Sequence, residues 1–287
     1  ISVHQYWIEN FQKHYTPDYL SCMMLSEKPD AYIKEVINQI QTAENQGYIN
    51  KGQIKIAFDE WNLRSWHHPG FQRNEKVDYN DPEIIELIKA RDKSLDPSIY
   101  NLSDALFSAS FLNSCLRHSE YIDMANIAPL VNQTGPIYVH PKGIVKRTHF
   151  HTMAMYANEL EEYVSEVEIN GSKLIYGKDS VSVIDAIATV DKKGKNWAIS
   201  LINRHPSENL ECKVIMGNKL LNGIYKAKIL TAESTDSYND IENPNRVTPK
   251  EIELKFKNGI VQLPPHSLSI ININYNYQNG KNKIILQ

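Results

Sequence analysis

The sequence predicts a chain in two parts, parallel βα units up to residue 162 and an antiparallel β-sandwich from 163 to 287. Three observations carry this. Early in the chain, short runs rich in β-branched residues alternate with stretches of helical period, the pattern of parallel strands joined by helices. Later, apolar and polar residues nearly alternate in short runs punctuated by Asn-Gly pairs, and no helical period appears. One early run, Ile54-Lys55-Ile56-Ala57-Phe58-Asp59-Glu60-Trp61-Asn62, ends abruptly in two carboxylates, an indole and an amide.

In chain order, Ile1 to Tyr6 reads as a strand. Pro29 to Asn45 reads as a helix, with Ile33, Val36, Ile37 and Ile40 on one face and Gly47 just past its end. Ile54 to Phe58 is the next strand. Residues 63 to 100 hold Pro69, Gly70, Pro82 and Pro97, and read as a long functional loop. Ser103 is placed to cap a helix reaching Arg117, with Ala105, Ala109, Leu112 and Leu116 along its stripe. Ile122 to Val131 is strand-like. His149 to Leu160 is helical, with Phe150, Met153, Ala157 and Leu160 on one face. Beyond residue 163 the alternation is clearest in Val181, Val183, Ala186, Ala188 and Val190, then in Leu210, Cys212, Val214 and Met216. Trp197 alternates with Ile199 and Leu201 as sandwich core, and Thr231 to Pro249 reads as a polar loop.

Composition limits the function. Of 287 residues, 41% are hydrophobic and 23% charged, the profile of a globular protein. A net charge of −3 provides no basic footprint for nucleic acid, and no apolar run is long enough to span a bilayer. Cys22, Cys115 and Cys212 are widely spaced and odd in number, which favours a reducing compartment such as the cytoplasm. The chain starts inside a strand-like run without Met or leader, which reads as part of a longer protein.

The carboxylates of Asp59 and Glu60 sit where a βα barrel places its chemistry, at a strand's C-terminal end. A strand followed by a solvated acidic turn would look the same from this run alone. His67-His68 does not read as a metal site, because adjacent side chains diverge and no other ligand stands at metal spacing. His149 and His151 read as surface or packing residues. Trp66 suits stacking on a ligand ring or capping of a barrel; Asn126 and Asn132 suit hydrogen bonds to a ligand or to loop backbone.

Several blocks in register resemble the glycoside hydrolase family 51 α-L-arabinofuranosidases. Ile1-Ser2-Val3-His4-Gln5-Tyr6 resembles the family's sixth barrel strand, and Phe58-Asp59-Glu60-Trp61-Asn62 the seventh. Asp104-Ala105-Leu106-Phe107, then Met124 through Asn132 to Gly135-Pro136-Ile137, resemble its seventh helix and eighth strand. Leu263-Pro264-Pro265-His266-Ser267 is similar to the end of its sandwich. The resemblance implies the last strands of a (β/α)8 TIM barrel followed by a jelly-roll-like β-sandwich. It implies a retaining hydrolase that releases terminal α-L-arabinofuranosyl residues from arabinan, arabinoxylan or their oligosaccharides, without a cofactor or metal. Glu60 matches the nucleophile and Tyr6 the residue that orients it. His4, Trp61, Asn62, Arg64, Trp66 and Asn132 are implied substrate contacts. A homo-oligomer of the full-length enzyme is compatible with this. The family's general acid lies in a Gly-Asn-Glu run absent here; Asn74-Glu75 follows Glu60 in a polar loop and does not match it. The acid and the first five strands are therefore expected outside this chain. Two rivals stand beside this reading: another retaining barrel glycosidase of endoglucanase or xylosidase type, and a non-catalytic remnant or sugar-binding module.

Overall fold

A computed structural model describes residues 1–8, 17–65, 78–93, 95–274 and 283–287. The first part runs β1 (Ser2–Ile8), α1 (Tyr19–Met24), α2 (Lys28–Asn45), β2 (Ile56–Arg64), α3 (Pro82–Lys93), α4 (Leu102–Arg117) and β3 (Ile122–Ile127). The strands form a parallel sheet in the order β1-β2-β3. A hairpin follows, β4 (Ile137–His140) and β5 (Gly143–Lys146), and then α5 (Thr148–Glu159).

The remaining strands are β6 (Tyr163–Ile169), β7 (Lys173–Tyr176), β8 (Asp179–Ser182), β9 (Ile184–Val190), β10 (Asn196–Asn203), β11 (Leu210–Met216), β12 (Lys219–Leu220), β13 (Gly223–Leu230), β14 (Lys250–Phe256), β15 (Ile260–Leu263), β16 (Ser267–Asn274) and β17 (Lys283–Leu286). Most of them join one curled sheet in the order β12-β11-β17-β6-β9-β10-β16-β13-β14, with β15 on β11. Its pairings are antiparallel apart from β17 with β6. The expected pairing of partial parallel barrel and antiparallel sandwich is the architecture found.

Helix α2 forms where the apolar period placed it. Ile33, Val36, Ile37 and Ile40 are buried on one face. It stops at a Schellman motif: Gly47 has φ 76°, its N–H donates to Glu44 O, and the Tyr48 N–H donates to Ala43 O. Glycine accepts that left-handed conformation without a Cβ clash.

Helices α4 and α5 depart from their expected stripes. Asn101, not Ser103, caps α4; its side chain accepts from the Ser103 N–H at 2.9 Å. Thirteen residues of α4 are buried, around most of its circumference, because the helix lies between the parallel sheet, α5 and the sandwich. On α5 the buried face is Thr148, Thr152, Met155 and Tyr156, whereas Ala157 is exposed. Three hydroxyls four residues apart make that face. Thr148 donates to Asn101 O at 2.5 Å, Thr152 to Ala105 O at 3.0 Å and Tyr156 to Ala109 O at 3.1 Å. A polar helix face is buried here because each hydroxyl finds a carbonyl on α4.

Other boundaries also shift. The loop expected over 63 to 100 contains the end of β2 and α3, and Asp96 caps a 3-10 turn at Pro97–Ile99. The strand expected to reach Val131 ends at Ile127, two residues before Pro129. Val131 keeps an isolated bridge to Ile137. Of the two readings of His149 and His151, surface or packing, burial selects packing.

Two cores result. One joins the helices and the parallel sheet to Ile187, Ala198, Ile202, Leu268 and Ile270 of the large sheet. The other lies inside the sandwich around Trp197, Ile199, Leu201, Val214 and Ile271. Strand β10 serves both, because its alternate residues face opposite sides. A buried charge cluster fastens the parts. Asp185 of β9 accepts from Arg117 of α4 at 2.8 Å and from Arg204 at 3.0 Å. Arg204 also reaches Glu27 and Ser110. Burial works against the Asp185 carboxylate, but the two guanidinium groups outweigh it and hold its pKa below the usual carboxylate value.

Asp185→Ala should lower the unfolding free energy by up to about 3–5 kcal/mol, because Arg117 and Arg204 lose the buried carboxylate they share and keep only Asp30 and the half-exposed Glu27. Urea unfolding of the variant beside the parent measures it; a loss under ~1 kcal/mol would contradict the role given to the cluster.

Burial pushes the His149 imidazole down to about 4, and His151 likewise down to about 4. Unfolded imidazoles titrate near ~6.5, so between that pH and about 4 the unfolded chain binds more protons. Stability should therefore fall as pH drops through that window, His149 contributing up to about 1.4 kcal/mol per pH unit, and be unaffected by these groups above it. Urea midpoints at pH 7.5, 6.0 and 5.0 test this, and a flat series would contradict it.

Candidate active site

The site begins with a one-residue irregularity. Along β1 the register runs Val3↔Phe58 and then His4↔Glu60, so one step on β1 spans two on β2. Against β3 the register runs Phe58↔Ala125 and then Trp61↔Ile127, again with one extra residue on β2. Asp59 and Glu60 thus form a β-bulge. In a regular strand, residues 58 and 61 would face opposite ways. Here both turn to the helix layer, where Phe58 and Trp61 are fully buried. Both meet Phe111 of α4: Trp61 stacks on it at 3.8 Å between centroids, and Phe58 meets it edge-on at 5.3 Å. Trp7 of β1 packs on the same ring.

The two carboxylates between those aromatics turn to the other face of the sheet. There they meet Ser2, His4 and Tyr6, the alternate residues of β1. The Tyr6 hydroxyl donates to Glu60 Oε1. His4 Nδ1 lies 3.3 Å from Glu60 Oε2, and Nε2 lies 3.1 Å from Asp59 Oδ1. The Ser2 hydroxyl stands 2.9 Å from each Asp59 oxygen. Burial first, then the hydrogen bond and charge of Glu60, push the Tyr6 phenol far above its ordinary pKa, so it remains a proton donor in this contact. The side chain of Glu60 is 39% exposed and that of His4 53%. One carboxylate is thereby oriented by two neighbours while an open side remains for a ligand.

The other expected contacts lie elsewhere. Trp61 is on the helix side of the sheet, under Phe111. Asn62 is buried, and its amide donates to Ala128 O at 3.2 Å and Thr134 O at 2.9 Å. Arg64 is fully buried, its guanidinium bidentate on Asp104 at 2.8 and 3.0 Å and over the Tyr100 ring. These three side chains are occupied by packing and scaffold contacts. Asn132 accepts from the Val139 N–H of β4 at 2.7 Å. Trp66 lies outside the described residues, as do His67, His68, Asn74 and Glu75.

Together Asn62 and Arg147 build the segment after β3. Arg147 is buried, stacked 3.7 Å from the Tyr100 centroid, and donates to Gln133 O and Gly135 O. Sequence reasoning missed Arg147 and the contact between Ser2 and Asp59; neither has a signal in local pattern. A groove of about 820 Å³ lined by Asp30, Lys34, Arg117, His118, Val167 and Ile187 lies between the helices and the sandwich, not at Glu60.

Comparison with known proteins decides the family. Residues 59–267 match the family described as α-L-arabinofuranosidase C-terminal domain. The chain belongs to that family. Among the relatives of this chain is the exo-α-(1→6)-L-arabinofuranosidase of Bifidobacterium longum, 24% identical over 250 residues, which cover 86% of this chain and 46% of that protein. A family 51 α-L-arabinofuranosidase structure from Bifidobacterium longum aligns with a TM-score of 0.71 at 22% identity, over 95% of this chain and 52% of that one. An α-L-arabinofuranosidase from Thermotoga maritima in complex with arabinose aligns with a TM-score of 0.67 at 22% identity, over 96% and 52%. At that identity the structures establish the shared fold. The chain spans about half the length of these relatives.

Asn62→Ala removes the amide that pairs with two loop carbonyls, and should lower stability by about 1–3 kcal/mol. Hydrogen exchange should quicken in residues 128–136 before the rest of the chain; uniform acceleration throughout would contradict the clamp.

Proposed function

We propose that this chain is the C-terminal half of a retaining α-L-arabinofuranosidase, with Glu60 as its nucleophile and the division between barrel part and sandwich after residue 162. The observation that carries the reading is the bulge in β2, which turns Glu60 onto the open face of the sheet beside Tyr6 and His4. Membership of the arabinofuranosidase family supplies the substrate class: terminal α-L-arabinofuranosyl units on arabinan, arabinoxylan or their oligosaccharides.

Glu60 attacks the anomeric carbon as the glycosidic C–O bond breaks. A general acid about 5 Å away gives its proton to the leaving oxygen. No described residue is assigned that role, and we place it in the part of the protein beyond these residues. The covalent arabinosyl ester is then opened by water, which loses its proton to the same group, now a base. Configuration at the anomeric carbon is retained, because it is inverted twice. Tyr6 keeps the attacking carboxylate oriented, because its hydroxyl donates to Oε1 and leaves Oε2 to the other neighbours. His4, exposed on the same face, is the described side chain best placed to reach the bound sugar as well.

In the full-length protein, Glu60→Gln should lower kcat for aryl α-L-arabinofuranosides by several orders of magnitude with the fold intact. Tyr6→Phe should cost about 10–100-fold, the loss of one hydrogen bond to a charged group. Near-normal turnover of the Glu60 variant would remove the assignment. Two equal losses would point to a shared structural effect instead.

A further inference from the structure

Four Asn-Gly pairs punctuate the chain: Asn170-Gly171, Asn222-Gly223, Asn258-Gly259 and Asn279-Gly280. The last lies outside the described residues. An asparagine before glycine loses its side-chain amide more readily than elsewhere, because no Cβ on the next residue hinders that residue's nitrogen. To react, the glycine nitrogen must be free of a hydrogen bond and the asparagine side chain free to swing over it. The three described pairs differ on both counts.

Asn258-Gly259 is locked at its glycine. The Gly259 N–H donates to Leu221 O at 2.7 Å, and the residue is buried so closely that a Cβ would stand 3.0 Å from Val214 O. Asn222-Gly223 is locked at its asparagine. Asn222 Oδ1 accepts from the Asn258 N–H at 2.7 Å, and Nδ2 donates to Leu220 O at 3.1 Å. Asn170-Gly171 is open. It lies in the turn between β6 and β7, where residues 170–172 are all exposed. Among the described residues nothing accepts from the Gly171 N–H, and nothing lies within 4 Å of where a Cβ on Gly171 would stand. The Asn170 amide is held from Nδ2 to Oε1 of Glu168 at 2.9 Å, a contact between two exposed side chains.

We propose that Asn170 is a modification site of the folded protein, deamidated spontaneously and in preference to Asn222 and Asn258. The Gly171 nitrogen attacks Asn170 Cγ. The N–Cγ bond forms, the Cγ–Nδ2 bond breaks, and the proton of the Gly171 nitrogen ends on Nδ2, which leaves as ammonia. Water then adds to the five-membered imide. Opening at Cγ gives aspartate. Opening at the main-chain carbonyl carbon gives isoaspartate, whose main chain runs through Cγ and is one methylene longer. Water is the only co-reactant.

Both products act on the end of β17. Each sets a negative charge beside Glu168, where an amide donated before. Isoaspartate also lengthens the chain between two anchors, the Asn170 N–H on Leu286 O at 2.7 Å and the Val183 N–H on Ser172 O at 3.0 Å. Leu286 ends β17, and its side chain and that of Ile284 are buried in the sandwich core.

The full-length protein would be kept at pH 7.5 and 37 °C, sampled over weeks and digested at acidic pH. Peptide masses and electron-transfer fragmentation locate each aspartate and isoaspartate. Asn170 should convert about tenfold faster than Asn222 or Asn258, since each of those pairs must first break a hydrogen bond. In guanidinium chloride the three share only their sequence and should convert at similar rates. Equal rates in the folded protein, or the same margin in the unfolded one, would overturn the proposal. Gly171→Ala, for which the turn has open space, should slow conversion of Asn170 in the folded protein. Conversion at the parent rate would overturn attack by that nitrogen. In aged protein, hydrogen exchange should quicken over residues 283–286 and stay as it was in β10; unchanged exchange over 283–286 would overturn the effect on β17.

Discussion

The extra residue in β2 between Phe58 and Trp61 is the constraint on which the site depends. It is forced from both sides. On the helix side, Phe58 and Trp61 converge on one ring, Phe111, and both are fully buried. With strict alternation, one of two residues three apart would face away from that ring. The inserted residue reconciles the strand with its core, and it leaves two carboxylates facing the other way. The aromatic cluster and the acidic pair are therefore two consequences of one local irregularity. A change that relieved the bulge would turn either Glu60 into the core or Trp61 out of it.

The rest of the first part is built to keep that register. Trp7, Phe58 and Trp61 all rest on α4, and α4 is fixed on its far side. The hydroxyl ladder of α5 holds three of its carbonyls, and Asp185 holds the Arg117 guanidinium at its C-terminal end. Burying so many polar groups contributes little net stability, since each bond mostly offsets its own desolvation. What they supply is geometry. Hydroxyls four residues apart meet carbonyls four residues apart in one alignment, and a slip by one residue would leave all of them unpaired. The sandwich thereby acts as a rigid backing for the helix that positions the catalytic-looking strand.

Much of this was legible in the sequence where the signal is local. The run from Ile54 to Asn62 reads as a strand, although β2 starts at Ile56 and continues past Asp59 and Glu60 to Arg64 instead of ending at the carboxylates, and α2 shows its apolar face and its terminal glycine directly. The spacing of His4 and Tyr6 places them on one face of β1. The bulge is not legible, because it depends on Phe111, some fifty residues away. Trp61, Asn62 and Arg64 follow Glu60 so closely that they resemble site residues. Yet Trp61 faces α4, Asn62 holds the loop after β3, and Arg64 meets Asp104 at the start of α4. The buried face of α5 differs from its apolar stripe for a different reason: hydropathy treats threonine and tyrosine hydroxyls as solvent-seeking, and here they find partners on another helix. His149 and His151 suit the surface or packing equally by sequence, and burial decides for packing.

The most direct measurement is covalent trapping. The full-length protein would be incubated with an activated 2-deoxy-2-fluoro-α-L-arabinofuranoside, whose glycosyl-enzyme forms faster than it hydrolyses. Peptide mass mapping would follow. The account predicts one added fluoroarabinosyl group, located on Glu60. A label on Asp59 or on any other residue, or steady turnover with no covalent adduct, would contradict it.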